Sequence, residues 1–441
     1  MKLPIAPARI AAFDILLRVE REQAYAVELL HSKLLDRLSP ADRNLTTEIV
    51  MGVLRWRSLL DKMISLFSAS PLRKLDLEVL ASLRIGAYQL SFLARVPDHA
   101  VLNDSVELVK LAHKRSAAGM VNAILHKMAA QAQSGERIHA QGSFAETFAH
   151  PEWLVQHWIE QFGSQVVAQI CPYDQQIPVT HVRLNDALDE TALREQGIQL
   201  APGALMTTAR RVIAGDITHT TFFHSGRLAI QDEGSQVVAA LVGDGGRILD
   251  CCAAPGGKTA ALASRLPEAE IIAAELHPHR ARLLRQMAPH ANVSVVAADA
   301  LRLPFKTEFD CVLADVPCSG TGTLARNPEI KWRLRPEDIS DLQSRQIGIL
   351  RAAMRYVSPG GRLVYSTCSL EREENEHVVA ACLDNNVDFH SAPMMRELMR
   401  LRDSGELAWN AAETLVSGDF LRTIPGVHPC DGFFAAVLQR Y

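Results

Sequence analysis

The sequence has no apolar run near the roughly 20 residues needed to span a bilayer. Its start, Met1-Lys2-Leu3-Pro4-Ile5, has no signal-peptide core. Cysteine is sparse: Cys171, Cys251, Cys252, Cys311, Cys318, Cys368, Cys382 and Cys430 are the eight in 441 residues, and none forms a Cys-x-x-Cys pair. Zinc ribbons, thioredoxin-type redox chemistry and a disulfide framework are therefore not expected, and a reducing cytoplasm is the expected compartment. A strong charge of either sign is also missing. The 46 Lys and Arg face 50 Asp and Glu, a formal charge of −4, which excludes a polybasic nucleic-acid glue. The balance is uneven, with 19 basic against 14 acidic side chains in residues 1–140 and 27 against 36 in the rest. A mildly basic front half permits contact with RNA.

Hydrophobic residues at 48% and charged residues at 22% describe a globular chain, and its length suggests roughly three domains. Residues 1–130 read as helical. Ile10, Phe13, Leu16 and Leu17 follow a 3.6-residue period, as do Ile49, Val50, Val53 and Leu54. Ser39-Pro40 predicts a helix start, and further helices are expected over 74–93 and 101–128. Residues 131–150 read as a linker. A helix is expected from Trp153 to about 170, followed by a small α+β segment with a strand over 177–185 and a helix over 189–196. From residue 246 short apolar runs at 247–250, 270–274, 293–296, 309–314 and 361–366 alternate with helical stretches, which predicts a mainly parallel, doubly wound sheet. The domains expected are 1–140 (all-α), 150–235 (small α+β) and 236–441 (α/β). Ligands of such sheets sit beyond the carboxyl ends of the strands.

Three motifs fall at those ends. Asp250-Cys251-Cys252-Ala253-Ala254-Pro255-Gly256-Gly257-Lys258-Thr259 follows a strand and opens a helix. A phosphate-binding P-loop would need glycine at 252, where this chain has cysteine. A plain strand-to-helix turn and a cofactor loop remain. Glu275, Asp299 and Asp315 end the next three strands. Acids there suit a nucleoside, and without a Walker lysine motif the arrangement suits S-adenosyl-L-methionine. The other motifs, Asp315-Val316-Pro317-Cys318-Ser319-Gly320-Thr321-Gly322 and Tyr365-Ser366-Thr367-Cys368-Ser369, each put a cysteine just past a strand. A lone free cysteine is usually a small buried hydrophobe, the reading that fits Cys171, Cys251, Cys311, Cys382 and Cys430.

The three motifs resemble motifs I, IV and VI of RNA (cytosine-5)-methyltransferases, and the pairing of Pro317-Cys318 with Thr367-Cys368 separates them from DNA enzymes, which use only the Pro-Cys. The chain as a whole resembles the RsmB (Sun or Fmu) family of bacterial 16S rRNA enzymes. Further similarities are His150-Pro151-x-Trp153-Leu154, Arg183-x-Asn185, Gln231-Asp232-x-x-Ser235-Gln236, Arg326-Asn327-Pro328-Glu329-Ile330-Lys331-Trp332 and Asp431-Gly432-Phe433-Phe434. The resemblance implies a NusB-like helical RNA-binding domain joined to a Rossmann-like class I methyltransferase domain. It implies that Cys368 is the nucleophile, that Cys318 assists product release, and that Asp315 holds or protonates the base. The Cys252–Lys258 backbone (Cys252, Ala253, Ala254, Pro255, Gly256, Gly257, Lys258), Glu275, Asp299 and Asp315 are then expected to surround S-adenosyl-L-methionine. Relatives commonly carry Asp where this chain has Glu275. An ordinary thiol is mostly protonated at neutral pH, so a local cation is needed, and Lys258 is the candidate.

DNA-enzyme logic would make Cys318 the attacking thiol instead. The expected partner is 16S rRNA, with no membrane, no metal and a monomeric state. Arg9, Arg18, Arg43, Arg55 and Arg57, and Arg326, Lys331, Trp332 and Arg333, are candidates for RNA contact, with core packing the competing reading for Trp332. The same chemistry on another rRNA site or on tRNA is an alternative. So is a non-catalytic RNA-binding protein of NusB type, which would need neither Cys318 nor Cys368.

Overall fold

The computed structural model describes residues 5–133, 142–384 and 386–441. They fall into two compact units, Met1–Ile177 with Leu324–Arg333, and Pro178–Thr323 with Leu334–Tyr441. The stretch expected as one segment over 150–235 is thus divided between residues 177 and 178. Residues 134–141 of the expected linker lie outside the described residues.

In the first unit, helices Pro7–Arg21, Pro40–Arg55, Leu77–Phe92, Asp98–Leu111 and Ala118–Gln133 enclose a core that includes Phe13, Leu16, Ile49, Val53, Leu83, Leu108 and Leu125. Ser39 caps the second of these helices as expected, its hydroxyl accepting the Asp42 N–H at 3.1 Å, a contact worth about 1 kcal/mol. Gly52 lets that helix approach the Leu77–Phe92 helix, because a Cβ there would lie 1.9 Å from the Tyr88 ring.

The helix expected over 101–128 is two helices. His113 takes φ 60°, the Lys114 N–H reaches back to Val109 O at 2.8 Å and the His113 N–H to Lys110 O at 3.1 Å. This is a Schellman stop with histidine where glycine is usual, so the sequence carries no visible stop signal. The helix after Trp153 is likewise two, Glu152–Phe162 and Ser164–Asp174, parted at Gly163 with φ 81°.

Leu324–Arg333 leaves the second unit and packs into the first. Trp332 Nε1 donates to Leu54 O at 2.6 Å. Arg333 donates to Gln23 O and Val19 O, both at 2.9 Å, serving carbonyls at the end of the Pro7–Arg21 helix. Glu329 accepts the Ala26 N–H at 2.9 Å, and Lys331 is only 1% exposed. The RNA-contact expectation fails for Lys331, which is buried, while Trp332 and Arg333 are half-buried and donate to backbone carbonyls of this unit. Two of the front-half arginines, Arg9 and Arg55, are likewise buried, whereas Arg57 is half-buried. Arg9 is buried against Asp104 at 2.7 Å and Gln89 at 2.8 Å, Arg55 donates to Ala325 O at 3.1 Å, and Arg57 pairs with Glu20 at 2.8 Å. Arg18 lies at the surface, paired with Glu22, and Arg43 is half-exposed.

The second unit holds β1 (His181–Leu184), β2 (Gln199–Pro202), β3 (Ala209–Ala214) and β4 (Leu228–Ile230), which form a small antiparallel sheet in the order β2-β3-β1-β4. The main sheet comprises β5 (Arg247–Asp250), β6 (Glu270–Glu275), β7 (Val293–Ala297), β8 (Phe309–Asp315), β9 (Val357–Thr367), β10 (Phe389–Ser391), β11 (Val416–Ser417), β12 (Phe420–Arg422) and β13 (Phe434–Arg440). Its order is β11-β12-β13-β9-β8-β5-β6-β7, with β10 beside β13. Strands β5 to β9 run parallel, and β13 pairs antiparallel with β9. The expected Rossmann-like sheet is therefore present, with an antiparallel edge added. Strand order reverses at β5, so the crevice between the carboxyl ends of β5 and β8 is the expected ligand position. Ile248, Leu249, Val312, Leu313, Leu363 and Val364 are buried and fix the register. Among the described residues no helix is long and apolar enough to cross a membrane.

Burying Lys331 is costly. Its amine has no hydrogen-bond partner among the described residues, and burial pulls its pKa down to about 7, partly offset by Asp174 and Cys171. The unfolded chain holds the proton up to its ordinary value of 10.5. The contribution of Lys331 to stability therefore rises with pH between about 7 and 10.5 and is least favourable below that window. Lys331→Met, which keeps the unbranched stem, is predicted to raise the melting temperature by a few degrees at pH 6.5. The gain should shrink toward pH 10.5, as thermal denaturation across that range would show.

Candidate active site

The end of β5 turns into a helix, Gly257–Arg265, through the glycine loop. Gly256 adopts φ 118°, and a Cβ there would press on Leu284 at 2.9 Å. Gly256, at the helix start, offers no side-chain cap to the first-turn N–H groups. Gly257 faces open space, since a Cβ there would have Gln231 Nε2, 3.8 Å away, as its nearest neighbour. Ala253 N–H bonds to Ala274 O at 2.9 Å and ties the loop to β6.

The strand-end acids stand in a row. Asp250 is buried, and its Oδ2 accepts Thr259 Oγ1 at 2.7 Å while Oδ1 has no hydrogen-bond partner among the described residues. Burial pushes its carboxyl up to about 7, against the hydrogen bond from Thr259. Glu275 is buried at the end of β6, accepting the His277 N–H at 2.9 Å with Arg280 at 3.9 Å. Asp299 follows β7 and accepts the Leu301 N–H at 3.0 Å. Asp315 ends β8, with Oδ1 accepting Ser366 Oγ at 2.7 Å and Oδ2 accepting Lys258 Nζ at 2.8 Å. Burial acts against the Lys258 charge, but Asp315, then Cys368 and Asp250, outweigh it and hold its pKa above the usual lysine value. The ammonium also sits over the Phe433 ring, 5.2 Å from its centroid.

The two motif cysteines meet beyond β8 and β9. Cys318 Sγ lies 3.3 Å from Cys368 Sγ, although 50 residues separate them. The Cys318 thiol is held well above its usual pKa, first by its hydrogen bond to Cys368, then by burial and by the charges of Cys368 and Glu374. Gly322 N–H bonds to Cys368 O at 2.9 Å and joins the two loops. Cys252 is half-buried in the glycine loop, and burial raises its pKa. Cys171, Cys251, Cys311, Cys382 and Cys430 are buried.

The structure thus gathers Lys258, Asp315, Cys318 and Cys368 at one end of the sheet, next to the loop and the acids. The sequence reading missed Ser366, Phe433's place over Lys258, and Glu374, a buried carboxylate bonded to the serines that follow each cysteine. The repeated Cys-Ser, followed by Glu371-Arg372-Glu373-Glu374, was the available signal for Glu374.

A family model described as 16S rRNA methyltransferase RsmB/F matches residues 239–439, and the NusB family model matches residues 6–130. The probable ribosomal RNA small subunit methyltransferase B of Bacillus subtilis is 32% identical, covering 98% of this chain and 98% of the relative. The ribosomal RNA small subunit methyltransferase B of Xanthomonas campestris is 31% identical, covering 98% of this chain and 97% of the relative. Among solved structures, a methyltransferase homologue from Pyrococcus horikoshii is 26% identical with a TM-score of 0.55, covering 68% of this chain and 98% of that one. The crystal structure of PH0851 shares the fold over 100% of both chains, with a TM-score of 0.80 at 22% identity.

Burial ranks the thiols. Limiting iodoacetamide on the native protein is predicted to modify Cys368 well before Cys171, Cys251, Cys311, Cys382 or Cys430. Lys258→Met, which removes the cation that interacts with Cys368, should slow the Cys368 reaction at pH 7 severalfold. Peptide mass spectrometry reads both, and early labelling of Cys171 or Cys430 would contradict the ranking.

Proposed function

This chain belongs to the ribosomal RNA small subunit methyltransferase B family, and from that premise we propose that it methylates carbon 5 of a specific cytosine in 16S rRNA through a covalent cysteine–cytosine intermediate. The observation that carries the reading is the 3.3 Å approach of Cys318 and Cys368 beside the glycine loop, with Lys258 and Asp315 paired at the same end of the sheet. The 16S target rests on the family and on the names of its relatives.

The residues present fit S-adenosyl-L-methionine. The helix start without a side-chain cap, the open side of Gly257 and Asp250 Oδ1, unpartnered among the described residues, offer the loop side of such a site. The Cys252–Lys258 backbone, Glu275, Asp299 and Asp315 would hold it, with the carboxylates suiting hydroxyl and amino groups of a nucleoside. When bound, the cofactor supplies an electrophilic methyl group for carbon 5.

Carbon 5 of cytosine is a weak nucleophile, and the chain's own residues supply what it lacks. The Cys368 thiolate adds to carbon 6, forming a C–S bond and making carbon 5 enamine-like. Lys258 places a positive charge near that sulfur, and Asp315 holds the base at its N3/N4 edge, exchanging a proton as charge develops. After methylation the proton on carbon 5 passes to solvent water, its electron pair re-forms the C5–C6 double bond, the C–S bond breaks and Cys368 leaves as thiolate. Cys318 serves this elimination. A base must leave its stack to reach such a site, a cost that is lowest in single-stranded or looped RNA.

Cys368→Ala is predicted to abolish methylation. Cys318→Ala should lose about 10²–10⁴-fold in turnover, the range of general acid–base help, and should accumulate a covalent protein–RNA adduct visible on a denaturing gel. An adduct formed by Cys368→Ala instead would assign the attack to Cys318.

A further inference from the structure

Glu374 is fully buried, and its carboxylate takes hydrogen bonds from both cysteine loops at once. Oε1 accepts the Ser319 N–H at 2.8 Å and Gln346 Nε2 at 2.8 Å. Oε2 accepts the Ser369 hydroxyl at 2.5 Å and the Ser319 hydroxyl. Ser319 follows Cys318 and Ser369 follows Cys368, so one side chain fixes the residue next to each sulfur. Gln346 also donates to Pro317 O at 2.9 Å, directly before Cys318. Behind this, Tyr365 donates to Glu374 O at 2.5 Å, and Asn375 Nδ2 donates to Ser369 O at 2.9 Å. Four donors around one carboxylate favour the charged form, but burial outweighs them and leaves its pKa above the usual carboxylate value.

The charged groups around the sulfur pair are arranged unevenly. Lys258, itself paired with Asp315, interacts with Cys368. Glu374 acts on Cys318, and the buried Tyr365 phenol also responds to Cys318 and Glu374. Glu374 takes two hydrogen bonds from the residue after Cys318 and one from the residue after Cys368, so its carboxylate bears more directly on the Cys318 loop.

We propose that Glu374 is a positioning residue that locks the Cys318 and Cys368 loops into a single frame and gives the two thiols unlike roles. Cys318 stays a protonated thiol that donates toward Cys368, and Cys368 is left as the attacking sulfur. The inference rests on the catalytic reading above, but its first test needs neither RNA nor cofactor.

Full-length wild type and Glu374→Gln would be alkylated with iodoacetamide from pH 6 to 10, and the rates at Cys318 and Cys368 read separately by peptide mass spectrometry. Wild type should label Cys368 first. Glu374→Gln should speed Cys318 labelling at pH 8 by about tenfold and move its profile to lower pH, one pKa unit corresponding to that factor. Glu374→Asp, which keeps the charge, should restore part of the wild-type ratio, a rescue that loss of packing alone would not give. In methylation assays Glu374→Gln should lower kcat and leave KM for the cofactor unchanged. If Glu374→Gln does not fold, Gln346→Leu removes one donor and should shift the labelling ratio the same way, by about threefold. An unchanged ratio and pH profile in the folded variant would overturn the proposal, even if methylation is confirmed. A shifted ratio without methylation of any RNA would leave the thiol assignment standing and count against the catalytic reading.

Discussion

The parallel pairing of β8 with β9 is the constraint on which the site depends. Their register sets Asp315 opposite Ser366, and the Val316 N–H continues the ladder to Ser366 O at 3.0 Å. Both strands end at the same level, so the loops that follow leave the sheet side by side. That brings together two cysteines 50 residues apart and sets Asp315 within reach of Lys258 from the neighbouring β5 loop. The buried apolar residues of the sheet determine the register, because a slip of one residue would turn every side chain to the opposite face. The chemistry is thus positioned by hydrophobic packing well below it.

The same site stores charge in a dry place. Asp250, Lys258, Asp315 and Glu374 lie within one end of a sheet, and each has a partner for at least one of its polar atoms. Breaking such a pair by removing one member leaves an uncompensated buried charge, usually costing about 3–5 kcal/mol. Conservative changes that keep shape are therefore more informative than truncation to alanine.

Much of the fold was legible because it is written in periodicity. The runs at 247–250, 270–274, 293–296, 309–314 and 361–366 coincide with β5 to β9, and Ser39-Pro40 marks a helix start. The placement of Cys318 and Cys368 just past strand ends followed from the same pattern. What could not be read depended on tertiary context. His113 stops a helix in a conformation usually given to glycine, and the residue type does not announce it. Arg9, Arg55 and Arg333 look like surface charges, yet Arg9 is buried against Asp104 and the other two donate to backbone carbonyls. Glu374 sits in a charged run whose burial the residue types do not announce, and its partner Ser319 lies 55 residues away.

Methyl transfer to carbon 5 of one cytosine is the central claim, and the product tests it most directly. Purified protein would be incubated with methyl-labelled S-adenosyl-L-methionine and protein-free 16S rRNA, the RNA digested, and the labelled nucleoside identified and mapped by mass spectrometry. The account predicts label in 5-methylcytidine at a single position. Label in any other nucleoside, or on a ring position other than carbon 5, would contradict it.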